Sequence, residues 1–248
     1  MSPRGRLLVF LPAAAGLLFL LLDALHGLPS FGHYAGPYGY VLNGVAVTQR
    51  HATNLVTAVN FDYRAFDTLG EEFILFTATT GVVLILRQTR GEGQTESPAR
   101  DDASSALRGL ALAFVAGLIV LGGYVVAHGA ITPGGGFQGG VLLACGAFLV
   151  FLAGEAVAMK RVAPEKLLEF ADALGAAGFA LLGIGGLVFA GVFFENFLDL
   201  GKPGSLNSSG TILLVSISIG LEVTGAFLLI WTEFLDQALM VRVGGDGE

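Results

Sequence analysis

Long stretches free of Asp, Glu, Lys and Arg set the pattern of this chain: 16 residues from Leu7 to Leu22, 46 from Gly109 to Gly154, 22 from Ala173 to Phe194 and 19 from Pro203 to Leu221. A helix that crosses a bilayer needs about 20 mostly apolar residues. The longest run holds two such lengths once its centre, His128 to Gly140 (HGAITPGGGFQGG), is read as a break, because Pro133 and three consecutive glycines interrupt a helix. With the apolar run Phe73–Leu86 added, the pattern predicts spans at about 5–22, 68–86, 108–127, 137–158, 172–194 and 210–235. The expected fold class is an all-α membrane protein, a polytopic bundle of about six transmembrane helices.

Composition sharpens this picture. Hydrophobic residues make up 54% of the 248 positions and charged residues 13%, against about 45–50% and about 25% in soluble domains, which excludes an ordinary soluble protein. The 37 glycines suit helices that pack backbone to backbone in lipid. The net charge of −7 is spread over short loops, so no nucleic-acid partner is expected. A single cysteine, Cys145, leaves no disulfide framework and no cysteine metal site, and neither a cofactor nor a metal is expected. Arg4 and Arg6 before Leu7–Leu22 imitate the start of a signal peptide, but the following DALHGLPS lacks a small-x-small cleavage site, so an uncleaved first helix is expected. A cytoplasmic N-terminus puts 10 of the 13 Lys and Arg on the inner side, leaving Arg50, Arg64 and Lys202 outside. The expected location is the cell (inner) membrane, multi-pass, with both termini cytoplasmic.

Gln88 to Ala106 is polar, rich in Gly, Ser and charge, and reads as a cytoplasmic linker. The expected organisation is a two-span module over residues 1–90, a linker at 91–104 and a four-span domain over 105–240. In the long connection from Asp23 to about Asp67, FGHYAGPYGY reads as an aromatic belt segment. From Val45 to Val59, the apolar positions Val45, Ala52, Leu55, Val56 and Val59 share one helical face, which predicts an amphipathic or re-entrant piece.

The candidate chemistry is acidic. Asp67 and Glu71 lie on one face of a helix starting near Asp67; with Thr68 they suit a hydrated cation or a proton relay, or else Asp67 is an N-cap and Glu71 a first-turn carboxylate favoured by the helix dipole. Glu222 sits inside the run Thr211–Trp231, near Ser218 and Thr224. A carboxylate at the bilayer centre costs about 2.5–3.5 kcal/mol on insertion scales, a cost that protonation lowers. Its readings are a group that binds and releases a proton, or a hydrogen bond to a partner subunit. Glu155 is a possible proton relay or a residue pairing with Lys160 or Arg161, and His128 a possible relay or an interfacial anchor. The glycine run lacks the Lys-Ser/Thr of a phosphate-binding loop and reads as a backbone break of the type that lines ion sites. No Ser/His/Asp arrangement, metal-binding His pair or redox motif appears, so a transporter subunit without its own catalytic site is expected.

At these motifs the sequence resembles the small subunits of Mrp-type (Mnh-type) multisubunit cation/proton antiporters and the related membrane arms of energy-converting hydrogenases. NLVTAVNFDYRAFDTLGEEFIL, within residues 45–87, resembles the short module at the C-terminal end of the large A subunit, or the separate E-type subunit of hydrogenase-related complexes. HGAITPGGGFQGG and GTILLVSISIGLEVTGAFLLI, within residues 105–238, resemble the B subunit. The resemblance implies an acidic pair at Asp67 and Glu71, a preceding Asp62 and Arg64, and a structural motif at Pro133, Gly134, Gly135, Gly136, Phe137 and Gln138. Two positions depart from the pattern: Ala65 stands where Gly is expected, and Glu72 is an acid where an apolar residue is usual. The implied role is an accessory subunit that helps form a Na⁺ and H⁺ path among large antiporter-like subunits and other small ones, in the lipid bilayer. The alternatives are a membrane-arm subunit of a redox-driven, hydrogenase-type complex and a non-conducting scaffold.

Overall fold

In a computed structural model the described residues (3–28, 32, 36–86, 104–153, 159 and 161–245) form helices and connecting turns, with no strand among them. The chain is an all-α membrane protein. It divides into two compact units, Met1–Val41 and Leu42–Glu248. The first unit holds α1 (Pro3–His26), whose large apolar side chains from Leu7 to Leu25 are exposed, the surface that lipid tails accept. Helix α2 (Pro37–Arg50) runs from the first unit into the second. The second continues with α3 (Leu55–Ala58), a π-helical turn (Val59–Tyr63), α4 (Ala65–Leu86), α5 (Ser105–Ala127), α6 (Gly136–Leu152), α7 (Glu165–Ala190) and α8 (Ile212–Gly245).

Helices α4, α5, α7 and the Ile212–Leu235 part of α8 are long and apolar enough to cross a membrane, while Phe10–His26 and Gly136–Leu152 are shorter apolar helices. Each expected span therefore coincides with a helix, though several boundaries move, α1 reaching His26 and α6 ending at Leu152. Helix α7 starts at Glu165, directly after Pro164. It stops at Ala190 because Gly191 turns left-handed (φ 83) and the chain folds back, Phe194 N–H donating to the Gly183 carbonyl at 3.1 Å. Helix α8 runs on past 235 to Gly245. The single amphipathic piece expected over Val45–Val59 is instead two helices. His51 takes a positive φ of 51, and the Thr53 and Asn54 N–H groups both turn away to the Ala130 carbonyl at 3.1 Å. Of the expected linker at 91–104 only Ser104 is described; it caps α5 by accepting from Leu107 N–H at 3.2 Å.

Helix α8 is the centre of the second unit. Its apolar segment is 61% buried against 17–28% for the other three long helices, and α4, α5, α6 and α7 all pack on it. Small residues permit the approach. A Cβ on Gly140 of α6 would sit 2.9 Å from the Gly220 carbonyl oxygen, and one on Gly175 of α7 would sit 2.5 Å from Glu222 N and 2.6 Å from the Ser218 carbonyl oxygen. The contact is reciprocal: a Cβ on Gly225 of α8 would lie 2.7 Å from Asp172 N. Hydroxyls fill what remains, Ser216 donating to the Val126 carbonyl at 2.9 Å and Thr224 to the Gly140 carbonyl at 3.2 Å. Ile212, Val215, Ile219 and Val223 then reach the aromatic core of Phe61, Phe179 and Phe194. Helix α4, which the sequence assigns to the two-span module, packs here against α7 and α8.

Replacing Gly175 with Ala forces α7 off α8, and overpacking of this kind costs about 1–3 kcal/mol. Gly117 of α5 has open space around its Cβ position. Thermal unfolding in detergent should show a clear loss for Gly175→Ala and none for Gly117→Ala; equal behaviour of the two would contradict the packing.

Candidate functional site

Five helix ends meet at one end of the second unit, where the starts of α4, α6 and α8 join the ends of α5 and α7. The break between α5 and α6 frees backbone carbonyls, and helix ends without partners are costly in a membrane protein. The segment before α3 supplies the donors. Asn54 Nδ2 donates to the Gly129 carbonyl at 2.8 Å and the Thr132 carbonyl at 2.9 Å, and Thr53 Oγ1 donates to the Ile131 carbonyl at 2.6 Å. Gly134 and Gly135 make the break with φ values of 143 and 139, where side chains are strained.

Beside this layer lies a polar cluster. Arg50 Nε donates to Asp62 Oδ1 at 2.5 Å, Arg50 Nη2 donates to Glu195 Oε1 at 3.2 Å, and the guanidinium carbon stands 5.5 Å from the Tyr63 ring centre. Asn196 links the cluster to α8: its Nδ2 donates to Asp62 Oδ2 at 3.4 Å and to the Ser209 carbonyl at 2.8 Å, and its Oδ1 accepts from Thr211 N–H at 3.0 Å. The Asp62 side chain is 2% exposed, and burial pushes its carboxyl above the ordinary range while the hydrogen bond and charge of Arg50 pull it back.

Deeper in the bundle are three further acids. Glu72 of α4, Asp172 of α7 and Glu222 of α8 are buried at 6%, 3% and 0% exposure. The Glu72 and Glu222 side chains are close enough to act on each other, and Asp172 is close enough to add its charge. Thr68 stands one turn before Glu72 and is buried on the same face of α4.

The expected site residues separate into these places. Asp67 and Glu71 are exposed on α4, and Asp67 pairs with Arg64 at the surface, so the four-residue spacing reaches the interior one position later, at Thr68 and Glu72. Asp62 is buried, and its partner is Arg50 rather than the neighbouring Arg64. Pro133 is exposed, Gly135 and Gly136 are buried, and Phe137 packs edge-on against Phe227 at 6.1 Å, with Gln138 exposed. His128 stacks on Tyr124 at 3.9 Å, with Nδ1 3.0 Å from the Tyr124 carbonyl oxygen. Glu155 lies outside the described residues. Asp172 escapes a reading by uncharged runs because it ends one of them and looks like a boundary.

Fold and site together define a helical membrane protein built around a central helix that carries a buried carboxyl. Residues 106–229 match the family described as a domain related to the MnhB subunit of Na⁺/H⁺ antiporter. An uncharacterised protein of Methanocaldococcus jannaschii is 32% identical over 217 residues, which is 76% of this chain and 81% of that one. The chain belongs to this MnhB-related family. Among solved structures, a chain of the membrane-bound sulfane sulfur reductase, an archaeal respiratory membrane complex, is similar with a TM-score of 0.72 and 29% identity, covering 93% of this chain and 98% of that one. A chain of the Mrp complex from Dietzia sp. DQ12-45-1b shares the fold with a TM-score of 0.70 at 24% identity, covering 94% of this chain and 26% of that one. Both likenesses extend well beyond the family-matched residues, to nearly the whole of this chain.

Removing the Arg50 side chain leaves Asp62 buried without its cation, a loss on the order of 2–4 kcal/mol. In Arg50→Ala the penalty applies only while Asp62 is ionised, so it is largest at neutral pH and shrinks as acid protonates the carboxyl in both folded and unfolded chains. Unfolding temperature followed against pH should show wild type and variant converging in acid. A gap independent of pH would mean that Arg50 acts by packing alone.

Proposed function

We propose that this chain works as an accessory membrane subunit of a multisubunit monovalent-cation/proton antiporter, lining part of the ion path and forming an interface with larger subunits. The observation that carries this reading is the family match over residues 106–229, which contains Asp172 and Glu222. The buried acids supply what an ion path needs, since ionisable groups in the interior of a membrane protein are expensive and mark transport routes. Asp67 and Glu71, exposed on α4, complete their part of the path with a neighbouring subunit, and Thr68 continues it inward toward Glu72. The chain crosses the membrane repeatedly, both termini face the cytoplasm, and it carries no catalytic site of its own.

A second reading, a membrane-arm subunit of a redox-driven complex, is favoured by the likeness to a chain of the sulfane sulfur reductase at the higher identity of 29%. Purification of the tagged chain in mild detergent separates the two. Large antiporter-like subunits without iron–sulfur proteins support the antiporter; iron–sulfur subunits support the redox complex; recovery of the chain alone contradicts both.

Asp67→Asn and Glu71→Gln break only surface contacts, worth about 0–1 kcal/mol, so both variants should assemble normally and lose cation-driven proton movement in membrane vesicles. Full antiport in both would remove them from the path. Reporter fusions at Gly93 and Asp246 should report cytoplasm and one at Ser205 the exterior; an external signal at Gly93 would reverse the orientation.

A further inference from the structure

Three carboxyls from three helices come near one another inside the bundle, with no balancing cation among the described residues. Glu72, Asp172 and Glu222 are each more than nine-tenths buried. Glu72 Oε2, Asp172 Oδ1 and both carboxyl oxygens of Glu222 have no hydrogen-bond partner. An ionised carboxylate in such a place is strongly disfavoured unless it is paired. Among the described residues the surrounding helices offer no relief. On α4 the other charged groups are the acids Asp67 and Glu71; α7 carries Glu165, exposed Lys166 and Glu169; α8 carries Glu233, Asp236 and Arg242 well beyond Glu222. Helix α6 has no charged residue, and Arg108 of α5 donates to the Ala153 carbonyl at 3.0 Å. Arg50 and Arg64 are engaged by Asp62, Glu195 and Asp67.

We propose that Glu72 and Glu222 share a proton, and that Asp172 holds a second one, so that the three side chains form a proton-binding station inside this chain. In the shared state the O–H of one glutamic acid donates to a carboxylate oxygen of the other. That bond satisfies oxygens which otherwise have no partner and removes one of two buried charges. The backbone contact at Gly175 holds Glu222 against α7, and the contact at Gly225 holds Asp172 against α8. At 1.5 Å per residue, Glu72 lies about 10 Å along α4 from Ala65, and Asp172 about 10 Å along α7 from Glu165 at the opposite end of the unit. Glu222 stands between them. A proton needs only the carboxyls themselves.

The station gives the proposed ion path an occupant, yet its test needs no transport assay and no partner subunit. Infrared spectra of the full chain in lipid nanodiscs, recorded across a pH titration, report the carbonyl stretch of protonated carboxylic acids. Wild type should show that band at neutral pH. Glu72→Gln and Glu222→Gln should each leave one protonated acid with its band shifted, and only the double variant should remove that component, because one proton is shared. Asp172→Asn should remove a separate component. The amide variants imitate the protonated acids in shape and charge, so each should keep at least the wild-type unfolding temperature. Absence of the band at neutral pH, additive losses from Glu72→Gln and Glu222→Gln, collapse of the amide variants, or loss of the band on adding Na⁺ at constant pH would each overturn the proposal. A chain that copurifies with no antiporter subunit but shows the shared band would sink the antiporter reading and leave the station standing.

Discussion

Backbone contact between α8 and its neighbours is the constraint on which the second unit depends. Lipid tails are as apolar as leucine, so burying apolar surface does little to drive one helix onto another inside a bilayer, and close van der Waals approach takes over. Here the approach is made from two sides. Gly140 brings α6 onto Gly220 and Val223, while Gly175 brings α7 onto Ser218 and Glu222, with Gly225 answering from α8. Side chains at those positions would hold the helices apart, and the buried carboxyls would no longer meet.

The polar architecture follows from that approach. At the loop-rich end, the interruption of the α5–α6 connection is tolerable because Thr53 and Asn54 satisfy its carbonyls, and Arg50, Asp62 and Asn196 tie the same segment to the start of α8. Every acid in that cluster has a donor. The deeper acids differ in kind, since their neighbours are other acids. A buried polar network that is fully paired rigidifies a fold, whereas a buried polar group left unpaired is costly. The contrast is between Asp62, held by Arg50 and Asn196, and Glu222, with neither oxygen partnered.

Much of this was legible in the sequence. Uncharged runs located the helices because membrane insertion depends on summed hydropathy, which is additive along the chain. Glu222 stood out because it interrupts such a run. Asp67 and Glu71 drew attention through their spacing and family resemblance, but spacing fixes only that two residues share a face, and which face turns inward depends on tertiary contacts. The structure turns Thr68 and Glu72 inward instead. Glu72 was visible as a departure from the family pattern, without any sign that it meets Glu222 from another helix. Asp172 was hidden by its place at the edge of a run. The break at His51 to Asn54 was equally out of reach, because it is set by the distant Ala130 carbonyl rather than by local propensity.

Helices α7 and α8 touch through small residues at the level of Glu222. A Cβ on Gly178 would lie 3.5 Å from Ser218 Cβ, within the range a disulfide spans. In a chain where Cys145 is replaced by Ser, the pair Gly178→Cys and Ser218→Cys should close to a disulfide under mild oxidation, read as the loss of both alkylatable thiols by mass spectrometry. Two thiols that remain fully alkylatable after oxidation would show that the helices do not approach there, and the grouping of Glu72, Asp172 and Glu222 would fall with that contact.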